Sequence, residues 1–105
     1  MSRTRINLKG LSLDRLETLS RIVAQGGIAR AASGDANRQS QFSRQIAELE
    51  EWFGVNLLDR SSTPSKPTEA ALRIARQVDE FRREMDTIRE SAIGGRQTVR
   101  TPDLV

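Results

Sequence analysis

The fold is decided by the stretch from Gly26 to Arg44, which reads GGIARAASGDANRQSQFSR. Two glycines end one helix pattern, a short alanine-rich run follows at 28–32, and turn-forming residues then lead into a polar segment. Small alanine side chains allow neighbouring helices to approach closely. The stretch therefore predicts a short helix and a longer helix joined by a tight turn.

Apolar residues at helical spacing flank this turn on both sides. Ser12 is a good N-cap and Gly26 a good stop, which together predict a first helix of about 12–25. The polar segment opens a helix of about 38–53, with Asn37 as its expected N-cap and Asp35 as a second candidate. The apolar stripes are Leu13, Leu16, Leu19 and Val23 in the first helix, and Phe42, Ile46, Leu49 and Phe53 in the second.

A hairpin and a long helix are predicted downstream. Prolines within Asp59–Pro67 restrict this hairpin to short or edge strands. Thr68 is an N-cap candidate for a helix of about 68–92, which would be about 37 Å long. We expect this helix to form a homodimer, the alternative being that it folds back on its own domain. Its coiled-coil-like seam consists of Ala71, Ile74, Val78, Phe81, Met85 and Ile88.

Composition excludes several classes of chemistry. The 105 residues fit one small domain, and no apolar run approaches the roughly 18 residues of a membrane span. The absence of Cys and His removes disulfides, the usual zinc ligands, thiol nucleophiles and imidazole catalysis. No paired carboxylates or phosphate loop stand out. We expect no enzyme activity, metal, cofactor, small-molecule ligand or membrane contact, and a soluble, cytoplasmic, nucleoid-associated protein.

The charge favours a nucleic-acid partner only weakly. There are 17 Lys and Arg against 14 Asp and Glu, a net charge of +3. Only Lys9 and Lys66 are lysines, and Arg matches phosphates and guanine edges with two hydrogen bonds. A GC-rich genome, which favours Arg codons, is an equally good explanation of this bias.

The order of elements predicts a mainly α fold, a winged helix-turn-helix with a long C-terminal dimerisation helix. The expected parts are a flexible basic arm at 1–10, the DNA-binding domain at 11–67, the dimerisation helix at 68–93 and a flexible tail at 94–105. A recognition helix inserts its N-terminal side chains into the major groove of double-stranded DNA. We expect base contacts from Arg38, Gln39, Ser40 and Gln41, and phosphate or flanking contacts from Ser43, Arg44, Arg30, Ser65 and Lys66.

The chain resembles the LysR-type transcriptional regulators in motifs spread over residues 12–92. The resemblance implies a winged helix-turn-helix DNA-binding domain followed by a dimerising linker helix. The family's effector-sensing domain has no counterpart in these 105 residues. The polar tail after Gly94-Gly95 favours a naturally short regulator over a truncated one. The motifs are Arg30-Ala31-Ala32, Phe42-Ser43-Arg44-Gln45-Ile46, Leu49-Glu50, Phe53-Gly54-Val55, Leu57-Leu58-Asp59-Arg60 and Pro67-Thr68-Glu69-Ala70.

Two departures from the family pattern bear on function. Asp35 and Asn37 stand where the family has Leu and Val, so hydrogen bonds must hold the turn in place of apolar contacts. Arg38-Gln39-Ser40 replaces Ser-Gln-Pro, which adds an arginine able to bind a base edge. Two alternative functions use the same residues: a DNA-architectural or recombination and excision accessory protein, and a dimerisation partner of a full-length regulator.

Overall fold

The computed structural model describes residues 10–94, which form four helices and a small two-stranded sheet. This mainly helical winged helix-turn-helix confirms the predicted fold class. The predictions for the arm and the tail concern residues that, apart from Gly10 and Gly94, lie outside the described part. The elements are α1 (Leu13–Gln25), α2 (Ile28–Ala31), α3 (Ala36–Phe53), β1 (Leu58–Asp59), β2 (Lys66–Pro67) and α4 (Glu69–Gly94).

Local signals fix both ends of α1. The Ser12 hydroxyl accepts a hydrogen bond from the Arg15 N–H at 3.1 Å, which satisfies one of the free donors of the first turn. Gly26 ends the helix in the left-handed region at φ +89°, where its N–H donates to the carbonyl of Ile22. The predicted bounds of this helix are confirmed.

The start of α3 differs from the prediction. The helix begins at Ala36 and its N-cap is Asp35, so the choice of Asn37 was wrong and the second candidate was right. Asp35 Oδ1 accepts from the N–H groups of Asn37 at 3.0 Å and Arg38 at 3.2 Å. The Asp35 N–H donates to the Ala32 carbonyl at 3.0 Å. Hydrogen bonds therefore hold this turn, as predicted from the replacement of the family's Leu and Val by Asp35 and Asn37.

The core lies where α1 meets the other three helices and the start of the wing. α1 packs against α3 on one side and α4 on the other. Each fully buried aliphatic side chain contributes about 1.5–3 kcal/mol relative to exposure. The buried core residues are Leu19, Ile22, Ile28, Ala31, Ala32, Phe42, Ile46, Leu49, Leu57, Leu58 and Ala71.

The wing is a minimal antiparallel pair in which Leu58 lies opposite Pro67 and Asp59 opposite Lys66. Its strands have two residues each, as expected for a segment that contains prolines. Gly54, in the left-handed region at φ +76°, ends α3 and turns the chain toward the wing.

Glu50, near the end of α3, holds the first residues of the wing. Its carboxylate accepts from the N–H groups of Leu57 at 2.8 Å and Leu58 at 3.3 Å, and from the Arg60 guanidinium at 3.2 Å. Burial acts to raise the pKa of Glu50, but these three donors outweigh burial and lower the pKa below its usual value of 4.5. The wing is thus attached to α3 through an ionised carboxylate.

The predicted seam of α4 divides into two faces. Ala71 and Val78 are buried in the chain's own domain, together with Ala75, so they are not available to a second copy. On the same side, the Ser20 hydroxyl donates to Asp79 at 2.6 Å, which links α1 to α4. Ile74 is only partly buried, and every residue from Glu80 to Gly94 is exposed. The first half of α4 therefore packs on its own domain, and the second half extends beyond it.

Candidate nucleic-acid interface

The N-terminal half of α3 is an exposed polar surface. From Ala36 to Arg44 every residue is exposed except Phe42, which is 8% exposed and belongs to the core. Phe42, predicted on the apolar stripe, is buried as expected and so fixes the rotation of the helix. The predicted contact residues Arg38, Gln39, Ser40, Gln41, Ser43 and Arg44 all lie in this exposed part.

These side chains do not share a single face, because successive residues are about 100° apart around a helix. Gln39, Ser40 and Ser43 line one shallow surface together with Ala36. Small side chains at Ala36 and Ser40 leave this surface open to a close approach.

Gln41 and Arg44 line a different surface, the polar cleft between α1 and α3. This cleft is fixed by a salt bridge from Arg15 to Glu48 at 2.6 Å. The Thr18 hydroxyl also donates to the Gln45 side-chain oxygen at 2.7 Å. Gln41 therefore lies on the α1 side of α3, on a different surface from Gln39.

Arg21 was not among the predicted contact residues. It is exposed on α1 and lines the same cleft as Arg44. The only sequence signal for it was its position on the polar face of α1, a position that many solvated arginines occupy. Its place beside α3 depends on how α1 packs, which the sequence pattern alone did not reveal.

The wing and α2 lie close to each other through the turn at Gly27. A Cβ at Gly27 would lie 3.3 Å from the Ser65 carbonyl oxygen, a tight contact, so the two backbone segments approach closely here. Arg30 on α2 and Lys66 on β2 are both exposed, and Ser65 is partly buried at this contact. Two of the predicted flanking cations therefore lie on elements that the Gly27 contact joins.

Asp59 places a carboxylate opposite Lys66 in the wing. The Ser61 hydroxyl donates to Asp59 at 2.6 Å and the Ser61 N–H at 3.0 Å. The hydroxyl bond, the N–H bond and the charge of Lys66 lower the pKa of Asp59. The wing thus presents an ionised Asp59 beside Lys66, which partly offsets the positive charge of Lys66.

An apolar stripe lies on α4, away from α3. Phe81, Met85 and Ile88 are 48%, 42% and 52% exposed. Toward the domain the stripe continues through Ile74 into an open groove of about 880 Å³. Further lining residues of this groove are Leu11, Leu13, Leu16, Trp52, Phe53 and Val55. Large exposed apolar patches on a small domain mark interaction surfaces.

Two kinds of feature are absent from residues 10–94. No helix in this part is long and apolar enough to cross a membrane. No group of three or more His, Cys, Asp or Glu side chains in the same range is arranged to hold a metal ion.

Comparison with known proteins gives concordant results. The HTH-type transcriptional regulator ArgP of Enterobacter sp. (strain 638) is 32% identical over 90 residues, which are 86% of this chain and 29% of that protein. The chain thus spans under a third of this relative. The DNA-binding domain of BenM, solved with catB site 1 DNA, superposes with a TM-score of 0.68 at 25% identity, covering 87% of this chain and all of that domain. Full-length BenM matches at a TM-score of 0.63 and 28% identity, over 76% of this chain and 26% of BenM.

A family model supports the same assignment. Residues 13–72, from the start of α1 to the first turn of α4, match the model of the bacterial regulatory helix-turn-helix proteins of the lysR family. This family consists of DNA-binding transcription regulators, not enzymes. The chain belongs to the lysR family and forms its helix-turn-helix DNA-binding domain with the long helix that follows.

Proposed function

We propose that this chain binds double-stranded DNA sequence-specifically as a homodimeric transcription regulator, with α3 in the major groove. The observation that carries the proposal is the exposed polar first half of α3, whose rotation is fixed by the buried Phe42. The major groove is about 12 Å wide and admits one α-helix, which contacts base edges through its N-terminal side chains.

Base recognition is assigned to the first turns of α3. Gln39 lies on the open surface and can form two hydrogen bonds with adenine, while Arg38 can form two with guanine. Ser40 adds a shorter contact on the same surface as Gln39. Gln41 reaches a neighbouring base from the side of the α1 cleft.

Phosphate contacts are assigned to residues around this helix. Arg44 and Ser43 follow the base-contacting turn, and Arg30 and Lys66 lie on α2 and the wing. Ser65 supports the wing contact beside Lys66. Phosphate contacts fix the position of a protein on DNA but carry no sequence information directly.

The homodimer interface is assigned to the apolar stripe of α4. We retain Ile74, Phe81, Met85 and Ile88 as interface residues, and we leave out Ala71 and Val78 because they are buried in their own domain. Exposed apolar side chains at this spacing gain most from packing against a second helix. A second copy of α4 is the partner with the same helical spacing.

Selection from a pool of randomised duplexes tests this function. The wild-type chain should enrich a motif with two half-sites related by twofold symmetry, whose centres are about 10 base pairs apart or a multiple of that distance. Enrichment of direct repeats would favour the architectural or excision role instead. A pool that stays random after repeated rounds would rule out sequence-specific binding by this chain.

A further inference from the structure

We infer that Asp35 is a specificity-determining residue, whose negative charge weakens binding to DNA that offers it no hydrogen-bond donor. This inference rests on the proposed insertion of α3 into the major groove. Asp35 is one of the departures from the family pattern, and it is also the N-cap of α3. The inference gives this departure a role in DNA binding.

The geometry of Asp35 fixes its carboxylate at the leading end of α3. One oxygen, Oδ1, accepts both the Asn37 and Arg38 N–H groups, at 3.0 and 3.2 Å. The Asp35 carbonyl accepts the Gln39 N–H at 2.9 Å. The Asn37 and Arg38 N–H groups are among the free first-turn donors with which an open helix N-terminus would bind a phosphate. The Asp35 carboxylate occupies these two donors and adds a negative charge, so this helix end is a poor site for a phosphate.

Asp35 has no acidic neighbour within twelve residues along the sequence and no salt-bridge partner in the described part of the chain. In the sequence it is the only acidic residue between Glu17 and Glu48, a span that contains Arg21, Arg30, Arg38 and Arg44. Among the described residues no Lys or Arg side chain forms a salt bridge with it, and Asp35 is exposed. A carboxylate without a salt-bridge partner therefore stands in a stretch of sequence whose other charged residues are all arginines.

Such a carboxylate discriminates between DNA sequences. Its charge repels phosphates on every duplex, because the screening length in physiological salt is about 8 Å. Its second oxygen is free to accept a hydrogen bond, and in the major groove the amino group of cytosine is the donor that Asp and Glu bind. A duplex with a cytosine at that position offsets the repulsion, and other duplexes do not.

The experiment compares the wild type with Asp35→Asn and Asp35→Ser. Asn and Ser are N-caps of similar quality to Asp, so both variants keep α3 capped while they remove the charge. Dissociation constants are measured by fluorescence anisotropy for the duplex that the wild type enriches and for a scrambled duplex of the same length. Asp86→Asn, on the second half of α4, is the control for the loss of one negative charge.

The measured quantity is the ratio of the two dissociation constants, scrambled over enriched. We expect both Asp35 variants to lower this ratio about threefold or more, mainly through tighter binding to the scrambled duplex, and Asp86→Asn to leave it unchanged. An unchanged or higher ratio in the Asp35 variants would overturn the inference while leaving the proposed function intact. An equal drop for Asp86→Asn would overturn it too. A wild type that binds neither duplex would overturn both proposals.

Discussion

Glu50 shows how one side chain positions a functional element. Its carboxylate takes two backbone N–H groups at the start of the wing and holds the Arg60 guanidinium. The Glu50 side chain is 15% exposed, so water replaces these bonds poorly. The position of Lys66 relative to α3 therefore depends on a residue that makes no contact with the proposed ligand.

Replacing Glu50 should destabilise the domain. Glu50→Ala leaves the Leu57 and Leu58 N–H groups without their acceptor, at a cost of about 1–3 kcal/mol in the free energy of unfolding. Glu50→Gln keeps one acceptor oxygen, so the loss should be smaller. Urea denaturation at pH 7 measures both variants, and equal stability of Glu50→Ala and the wild type would contradict this role.

The lowered pKa of Glu50 also predicts a pH dependence. Because the pKa is lower in the folded than in the unfolded chain, its stabilising effect is complete above the unfolded value of 4.5 and is lost as the pH falls through the folded value. The difference in unfolding free energy between the wild type and Glu50→Gln should therefore shrink below pH 4.5. A difference that stays constant down to pH 3 would show that the ionised form makes no special contribution.

Three exposed cationic side chains should contribute to DNA affinity but not to the preference for one DNA sequence over another. Arg30→Ala, Arg44→Ala and Lys66→Ala should each weaken binding to all duplexes alike and reduce the slope of log affinity against log salt by about 1. Titrations at several salt concentrations measure this, with Arg83→Ala on the exposed part of α4 as the control. A loss confined to one DNA sequence would assign that residue to base recognition instead.

The elements differ in how much of their structure the sequence could predict. α1 was placed correctly because Ser12 and Gly26 are local signals that depend on no distant contact. The start of α3 was ambiguous because Asp35 and Asn37 are both good caps, and the backbone of the preceding turn decides between them. That turn includes Ser33 and Gly34 in the left-handed region, at φ +53° and +79°.

α4 shows the limit of a periodicity argument. Val78 and Phe81 are three residues apart, which is about 60° around the helix, so one coiled-coil pattern fits both. In the structure Val78 is 6% exposed and Phe81 is 48% exposed. The pattern showed which residues are apolar, but only the packing of α1 against α4 shows which of them the domain itself buries.

Because Val78 is buried and Phe81 is exposed, the same substitution should have different effects on these two faces of α4. Val78→Asp would bury an unpaired charge in the domain and should lower its melting temperature strongly. Phe81→Asp should leave the domain folded but give monomers. Arg83→Asp, exposed on α4 outside both faces, should do neither.

Circular dichroism and sedimentation at micromolar concentration separate these effects. A dimeric Phe81→Asp variant would place the interface elsewhere on the chain. A monomeric wild type at the same concentration would refute the proposed homodimer.

In the whole molecule, α1 separates the two proposed surfaces. It packs against α3, which carries the polar surface, and against α4, which carries the apolar stripe. The Ser20–Asp79 hydrogen bond and the Arg82–Glu17 contact at 3.9 Å join α1 to α4 where α4 leaves the domain. The direction in which α4 extends is thus coupled to α3, so a dimer through α4 would set the distance between its two α3 helices.

The central claim is that side chains in the first turns of α3 determine which DNA sequence the chain binds. Selection from randomised duplexes with the wild type, Arg38→Ala and Gln39→Ala tests it most directly, and Arg44→Ala serves as a control that should bind more weakly but enrich the wild-type motif. Arg38→Ala and Gln39→Ala should each lose preference at one or two base pairs per half-site, because a good two-bond contact contributes about 1–3 kcal/mol of discrimination. If both variants enrich the same motif as the wild type, α3 does not read the sequence as proposed.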